Sequence, residues 1–141
     1  MKITILLFAL VFTFSNCKNK DIDKSVISCG AETIVDADDY ISAATDQVVI
    51  NNLSIDGDCL KIYYGASGCN GDSWIVKLID SEEIIDSDTL QRNLKFSLLN
   101  NEICQAYFTK EITFDISNLQ VDGGKVMLNI FDRGDEILYE Y

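Results

Sequence analysis

The chain has no histidine and no proline among its 141 residues, and only 11 of them are Lys or Arg. Without imidazole there is no Ser-His-Asp triad, no Cys-His dyad, no His ligand for zinc and no imidazole base. The shortage of cations excludes a second class. Against 23 Asp+Glu it leaves a formal net charge of −12, and a nucleic-acid partner needs a basic face to meet its phosphates. No apolar run reaches the roughly 20 residues that carry a helix across a bilayer. Gly-x-Ser-x-Gly is absent. What is there is 48% hydrophobic residues, too many and too evenly spread for a disordered chain, on a length that suits one domain.

The N-terminus reads as an address. Lys2 is followed by a 12-residue apolar run, Ile3 to Phe14, which stops at Ser15-Asn16-Cys17. A charged start, a short apolar stretch, two small residues and then Cys describe a bacterial lipoprotein signal peptide over residues 1–16. Cys17 becomes the first mature residue, with a thioether-linked diacylglycerol and an acylated amine. Phe14-Ser15-Asn16-Cys17 resembles the looser lipoboxes of Bacteroidota lipoproteins. Buried acyl chains contribute about 0.8 kcal/mol per CH₂, so two or three of them give stable anchoring. Residues 17–28, with the polar run Lys18-Asn19-Lys20-Asp21-Ile22-Asp23-Lys24-Ser25, read as the lipidated Cys and a flexible tether. Lys18 stands where enteric inner-membrane lipoproteins carry Asp. The expected location is therefore the outer membrane, facing the periplasm or the cell surface.

Beyond Cys17 the chain keeps four of its 5 Cys: Cys29, Cys59, Cys69 and Cys104. An even number behind an export signal implies disulfides, and four cysteines allow three pairings. No C-x₂₋₄-C pair exists for a zinc site, so no metal and no cofactor are expected.

From residue 47 onward apolar and polar residues alternate with period two. Gln47 to Ile55 forms a strand with Val49, Leu53 and Ile55 on one face and a bulge near Asn51-Asn52. Asp56-Gly57-Asp58 is a tight hairpin turn. Leu60, Ile62 and Tyr64 then point inward, and Cys59, Lys61 and Tyr63 outward. Gly65 to Ser73 reads as a loop. Trp74, Val76 and Leu78 share an inner face. Asp80 to Arg92 reads as a polar connection or a short helical turn. Leu94, Phe96 and Leu98 make the cleanest strand. Ile112, Phe114 and Ile116 follow, then Val126, Leu128 and Ile130, then Ile137, Tyr139 and Tyr141. Asp122-Gly123-Gly124 and Asp132-Arg133-Gly134-Asp135 separate the last three. No stretch carries a helical apolar stripe. About seven such strands predict an all-β fold, an antiparallel immunoglobulin-like β-sandwich over residues 29–141, entered by a loosely attached lead-in. With no proline to guard its edges, outward Lys61, Lys77 and Lys95 are the expected protection.

Two segments together resemble a group of small Bacteroidota lipoproteins. One is Tyr64-Gly65-Ala66-Ser67-Gly68-Cys69-Asn70-Gly71-Asp72-Ser73-Trp74. The other is Leu98-Leu99-Asn100-Asn101-Glu102-Ile103-Cys104-Gln105-Ala106, followed by Ile112-Thr113-Phe114-Asp115-Ile116-Ser117-Asn118-Leu119. The group carries Ser-Gly-Gly-Cys-x-x-His-x-aromatic, an Asn-rich turn leading to Cys-x-Ala, and a Phe-Asp-Leu-Ser strand. The similarity runs over about residues 55–141. It implies a β-sandwich and a Cys69–Cys104 bridge, and no activity. Only one Gly precedes Cys69, and Asp72 stands at the group's His position, which removes any role needing imidazole. Cys29 is expected to pair with Cys59, because Cys59 points outward and a lead-in crossing the outer surface brings Cys29 to it. Of the two bridges, Cys69–Cys104 is expected to contribute more to stability, since it closes the long polar stretch from Asp80 to Arg92.

Three constellations remain. The acidic clusters Asp36-Ala37-Asp38-Asp39, Asp56-x-Asp58 and Glu82-Glu83 with Asp86 and Asp88 read as solvated surface; Asp36-x-Asp38 and Asp86-x-Asp88 have a calcium-like spacing but no complete ligand loop. Paired carboxylates doing glycosidase chemistry need a cleft that a small sandwich scarcely offers. Tyr63, Tyr107, Tyr139, Tyr141 and Trp74 are candidates for a sugar-stacking platform. Alternation puts Trp74 in the core and leaves Tyr63 the better exposed contact. The sequence thus reads as a monomeric, non-catalytic binding or structural module of the cell envelope. Its partners are the membrane, through Cys17, and an envelope protein or glycan. The alternatives are a protease-inhibitor-like sandwich presenting loops to an enzyme, and a small paired-carboxylate enzyme.

Overall fold

The computed structural model describes residues 29–45, 47–131 and 134–141. The chain enters as two short strands, β1 (Ala31–Glu32) and β2 (Ile34–Val35), and a six-residue helix, α1 (Ala37–Ser42). Longer strands follow: β3 (Val48–Asp56), β4 (Cys59–Gly68), β5 (Ile75–Ile85), β6 (Gln91–Leu99), β7 (Ala106–Asp115), β8 (Lys125–Ile130) and β9 (Asp135–Glu140). One sheet has the order β1-β7-β4-β3 and the other β2-β5-β6-β8-β9.

The inner faces are those of the alternation. Leu60, Ile62 and Tyr64 of β4 meet Leu94 and Phe96 of β6, with Phe114 of β7 and Val126, Leu128 and Ile130 of β8, all buried; Leu98 is buried further along β6. Phe96 stitches the sheets together. Its ring lies 5.0 Å from Tyr64 and 6.2 Å from Phe114, edge-on to both, the geometry that the aromatic quadrupole favours.

The fold is all-β and sandwich-like, but its sheets are mixed, not antiparallel. β6 pairs with β8 in parallel, as β1 does with β7 and β2 with β5. The cause is the crossover through β7: the chain leaves β6 for the other sheet and returns alongside it. Nine strands replace the expected seven because the lead-in adds two. That lead-in is not loosely attached. β1 joins one sheet and β2 the other, so the chain straps the sandwich across its side. Between them Thr33 is buried; its N–H and hydroxyl both donate to the Asp115 carbonyl, at 3.2 and 2.6 Å. α1 then covers the outer face of β5 and β6. Asp36 caps it by accepting from Asp39 N at 2.8 Å, as an N-terminal acid should.

The three lysines do not guard edges. Lys61, Lys77 and Lys95 lie on β4, β5 and β6, which have neighbours on both sides. Lys77 pairs with Asp39 at 2.9 Å, and Lys95 is buried under α1 with its ammonium 4.9 Å from the Tyr40 ring centre. The expected bulge in β3 is present at Asn51, but the strand enters it in the other phase: Ile50 is buried and Val49 is 50% exposed. β4 runs on to Gly68, through part of the expected loop. The polar stretch after Asp80 is neither loop nor helix at first, because β5 continues through a bulge to Ile85. Glu82 takes φ 64° there, and its N–H donates to Asp80 Oδ1 at 2.9 Å. The same oxygen receives Arg92 at 2.7 Å, a buried ion pair between the bulged strand and its neighbour.

Candidate functional site

Both expected disulfides are present. Cys29–Cys59 and Cys69–Cys104 have Cα separations of 5.3 and 4.8 Å, within the range a bridge allows. Cys17 lies outside the described residues.

The segments that carry the family resemblance meet at one end of the sandwich, around Glu102. Its carboxylate accepts from the backbone N–H groups of Cys69, Asn70 and Gly71, the last two at 3.1 and 3.0 Å, and from Ser73 Oγ at 2.9 Å. Successive N–H groups in a turn form a concavity that attracts anions, and here the chain fills it with its own side chain. Gly71 makes this possible: its φ is +71°, and a β-carbon there would meet the Lys110 side chain at 2.8 Å. Desolvation works against the charge on Glu102, but the donors from Gly71, Ser73, Asn70 and Cys69 outweigh it and hold the carboxyl at about 2.

The surrounding contacts fix both strands of this cluster. Asn100 Nδ2 donates to the Ser67 carbonyl at 2.8 Å, while its Oδ1 accepts from Glu102 N at 2.9 Å. Lys110 Nζ donates to the Gly71 carbonyl, stands 5.3 Å from the Trp74 ring centre and lies 3.9 Å from Asp72. Asp72, at the His position of the resembled group, forms a closed pair with Asn70: its N–H and carboxylate meet the Asn70 amide at 3.0 and 2.8 Å. Trp74 packs on the core, as alternation implied. What the cluster presents to solvent is Ile103, 94% exposed between Glu102 and Cys104.

A second surface lies on the outer face of the β1-β7-β4-β3 sheet. Tyr63 and Tyr107 are 39% and 55% exposed on it. Near the Cys29–Cys59 bridge the same face carries a shallow groove of about 720 Å³, lined by Ser54, Asp56, Lys61, Glu111 and Thr113 among others. Tyr139 is not part of any platform. It is fully buried, and its hydroxyl donates to Asp58 at 2.6 Å; burial first, then Asp58, pushes its ionisation up.

The acidic clusters separate into other roles. Asp36 caps α1, Asp58 receives Tyr139, and Glu82, Glu83, Asp86 and Asp88 lie exposed around the end of β5. Among the described residues no group of three or more His, Cys, Asp or Glu is placed to hold a metal ion. Glu102 itself escaped sequence reasoning, because its partners lie 29 to 33 residues away. The one local signal was Cys-Asn-Gly-Asp-Ser, a composition suited to a turn with a left-handed residue.

No family model and no curated protein matches the chain. Solved structures do. A NigD-like immunity protein from Bacteroides caccae superposes with a TM-score of 0.56 at 13% identity, over 79% of this chain and 59% of that one. A putative toxin-related protein from Parabacteroides distasonis gives 0.52 at 19% identity, over 79% and 59%. A protein of unknown function from Bacteroides vulgatus gives 0.51 at 19%, over 79% and 55%. The likeness is one of fold, and the chain spans less than two thirds of each of these proteins. All three come from Bacteroidota, the group whose small lipoproteins the sequence resembles.

Proposed function

We propose that the protein is a cell-envelope lipoprotein that works as a non-catalytic protein-binding module. Removal of residues 1–16 leaves lipidated Cys17 and a tether over residues 17–28, which hold the sandwich at the outer membrane. The observation that carries the binding role is Ile103, 94% exposed on a backbone held on one side by the Glu102 carboxylate and on the other by the Cys69–Cys104 bridge. A large apolar side chain on a pre-ordered segment loses little freedom when a partner covers it, so most of its burial appears as affinity. Two similarly folded proteins bear the names immunity protein and toxin-related protein, names compatible with a non-catalytic module.

A photoreactive residue replacing Ile103 in the full-length lipoprotein, expressed in the envelope, tests this. The expected result is one defined crosslinked protein, absent when the probe replaces exposed Asp88 instead. Equal labelling from both positions contradicts the reading. The anchor is tested by Cys17→Ala, which should abolish partition into detergent.

A further inference from the structure

We propose that the outer face of the β1-β7-β4-β3 sheet binds an uncharged glycan chain, a site independent of the Ile103 end. The face is built around a missing side chain. Gly65 pairs with Thr109 across β4 and β7, both on the outward side of the sheet. Tyr107 reaches over Gly65, and its hydroxyl occupies the place where a β-carbon would stand. From the other side the Tyr63 hydroxyl donates to Thr109 Oγ1 at 2.8 Å. Two tyrosines thus converge on one Gly–Thr pair. Each is held by the sheet on one side and open on the other, 39% and 55% exposed.

This arrangement suits a sugar for three reasons. Aromatic side chains fixed by their neighbours bury apolar area with little loss of rotamer freedom, and the C–H face of a pyranose is the complementary surface. The Thr109 hydroxyl, accepting from Tyr63, keeps its own proton to donate to a sugar hydroxyl. The face also offers little net charge to a ligand: Lys61 and Glu111 face each other at 3.6 Å, which leaves Asp56 as the one further charge lining the groove. With 23 acids against 11 bases, the molecule as a whole repels polyanions, which selects an uncharged chain. The platform continues along β4 past Tyr63 into the groove beside Lys61 and Thr113. From Ser67 to Cys59 the face runs about 27 Å, a length for several sugars, not one.

The test is affinity electrophoresis of the full-length lipoprotein, in a non-ionic detergent without a sugar headgroup. The gels contain laminarin, soluble starch, dextran or mannan, with polygalacturonate as the anionic comparison. At least one neutral polysaccharide should retard the protein and polygalacturonate should not. Tyr63→Ala and Tyr107→Ala should each weaken retardation about tenfold. Gly65→Ala should do the same by displacing the Tyr107 ring, while its outward methyl leaves the core intact and the melting profile cooperative. Ile103→Asp should leave retardation unchanged, which separates this site from the protein-binding end. Absence of retardation by every neutral gel overturns the proposal, as does retardation that survives the double tyrosine variant. So does a wild-type dimer that the double variant dissociates, since the face would then be an interface between copies.

Discussion

A carboxylate ringed by backbone N–H groups resists protonation, and Glu102 is the residue here whose chemistry depends most on that. Its folded pKa of about 2 lies below the ordinary 4.5, so the ionised form is favoured by folding. The stabilisation is therefore complete above about pH 4.5 and disappears as pH falls through about 2. The Gly71 amide resonance should titrate with a midpoint near the folded value, and Glu102→Gln should abolish the titration and speed hydrogen exchange at Cys69, Asn70 and Gly71. A midpoint near 4.5 would instead mark an ordinary surface acid. Asp80 and Arg92 pose the opposite case. Burial raises the Asp80 pKa, and Arg92 only partly offsets it. Removing one partner from a buried pair strands the other, at a cost of about 3–5 kcal/mol. Arg92→Leu should lower the urea midpoint accordingly, and Asp80→Leu/Arg92→Leu should recover part of the loss. Recovery stays partial because Asp80 also accepts from Glu82 N. A double variant no more stable than the single one would show that the bulge, not the charge, sets the cost.

Elements long enough to show a period were legible, and those held by distant partners were not. Leu94, Phe96 and Leu98 alternate cleanly and are buried. β1 and β2, of two residues each, have no period to read, and α1 is too short for an apolar stripe. In β3 the bulge was readable but its phase was not, since one extra residue exchanges the two faces; hence Val49 outside and Ile50 inside. The parallel β6–β8 pairing is written in no local pattern. The Glu102 cluster was half legible: both segments stood out, yet the acid that joins them did not. The integrated lead-in also changes the expected ranking of the disulfides. The bridges span 30 and 35 residues, so chain entropy assigns each about 4 kcal/mol. What differs is the native side. Cys29 and Cys59 are buried and pin the strap that joins both sheets, whereas Cys69 and Cys104 are exposed and the Glu102 hydrogen bonds brace their loop independently. The Cys29→Ala/Cys59→Ala protein should thus have the lower urea midpoint. A lower midpoint for Cys69→Ala/Cys104→Ala would restore the ranking drawn from sequence.

At the scale of the whole molecule the dominant fact is charge. The chain carries a formal −12, while the described residues form four ion pairs: Lys61–Glu111, Lys77–Asp39, Arg92–Asp80 and Lys110–Asp72. Most of the described acids are exposed to solvent. Like charges packed onto a small surface destabilise the compact state, because unfolding lets them separate. Screening acts in opposite directions on the two populations. It weakens exposed pairs such as Lys61–Glu111, which contribute at most about 1 kcal/mol each, and it relieves a repulsion shared among many carboxylates. It leaves the buried Arg92–Asp80 pair almost untouched. The balance falls on the side of relief. The Debye length shrinks from about 30 Å at 0.01 M salt to about 8 Å at 0.15 M, which takes carboxylates on opposite sides of the sandwich out of one another's reach. The melting temperature should accordingly rise as NaCl is raised through that range at neutral pH, and the rise should be steepest at the low end. Sodium sulfate compared at equal ionic strength separates screening from anion-specific exclusion, since screening alone gives coincident curves. A melting temperature that falls with added NaCl would mean that the four ion pairs outweigh the acidic field, and that the exposed carboxylates lie too far apart to repel.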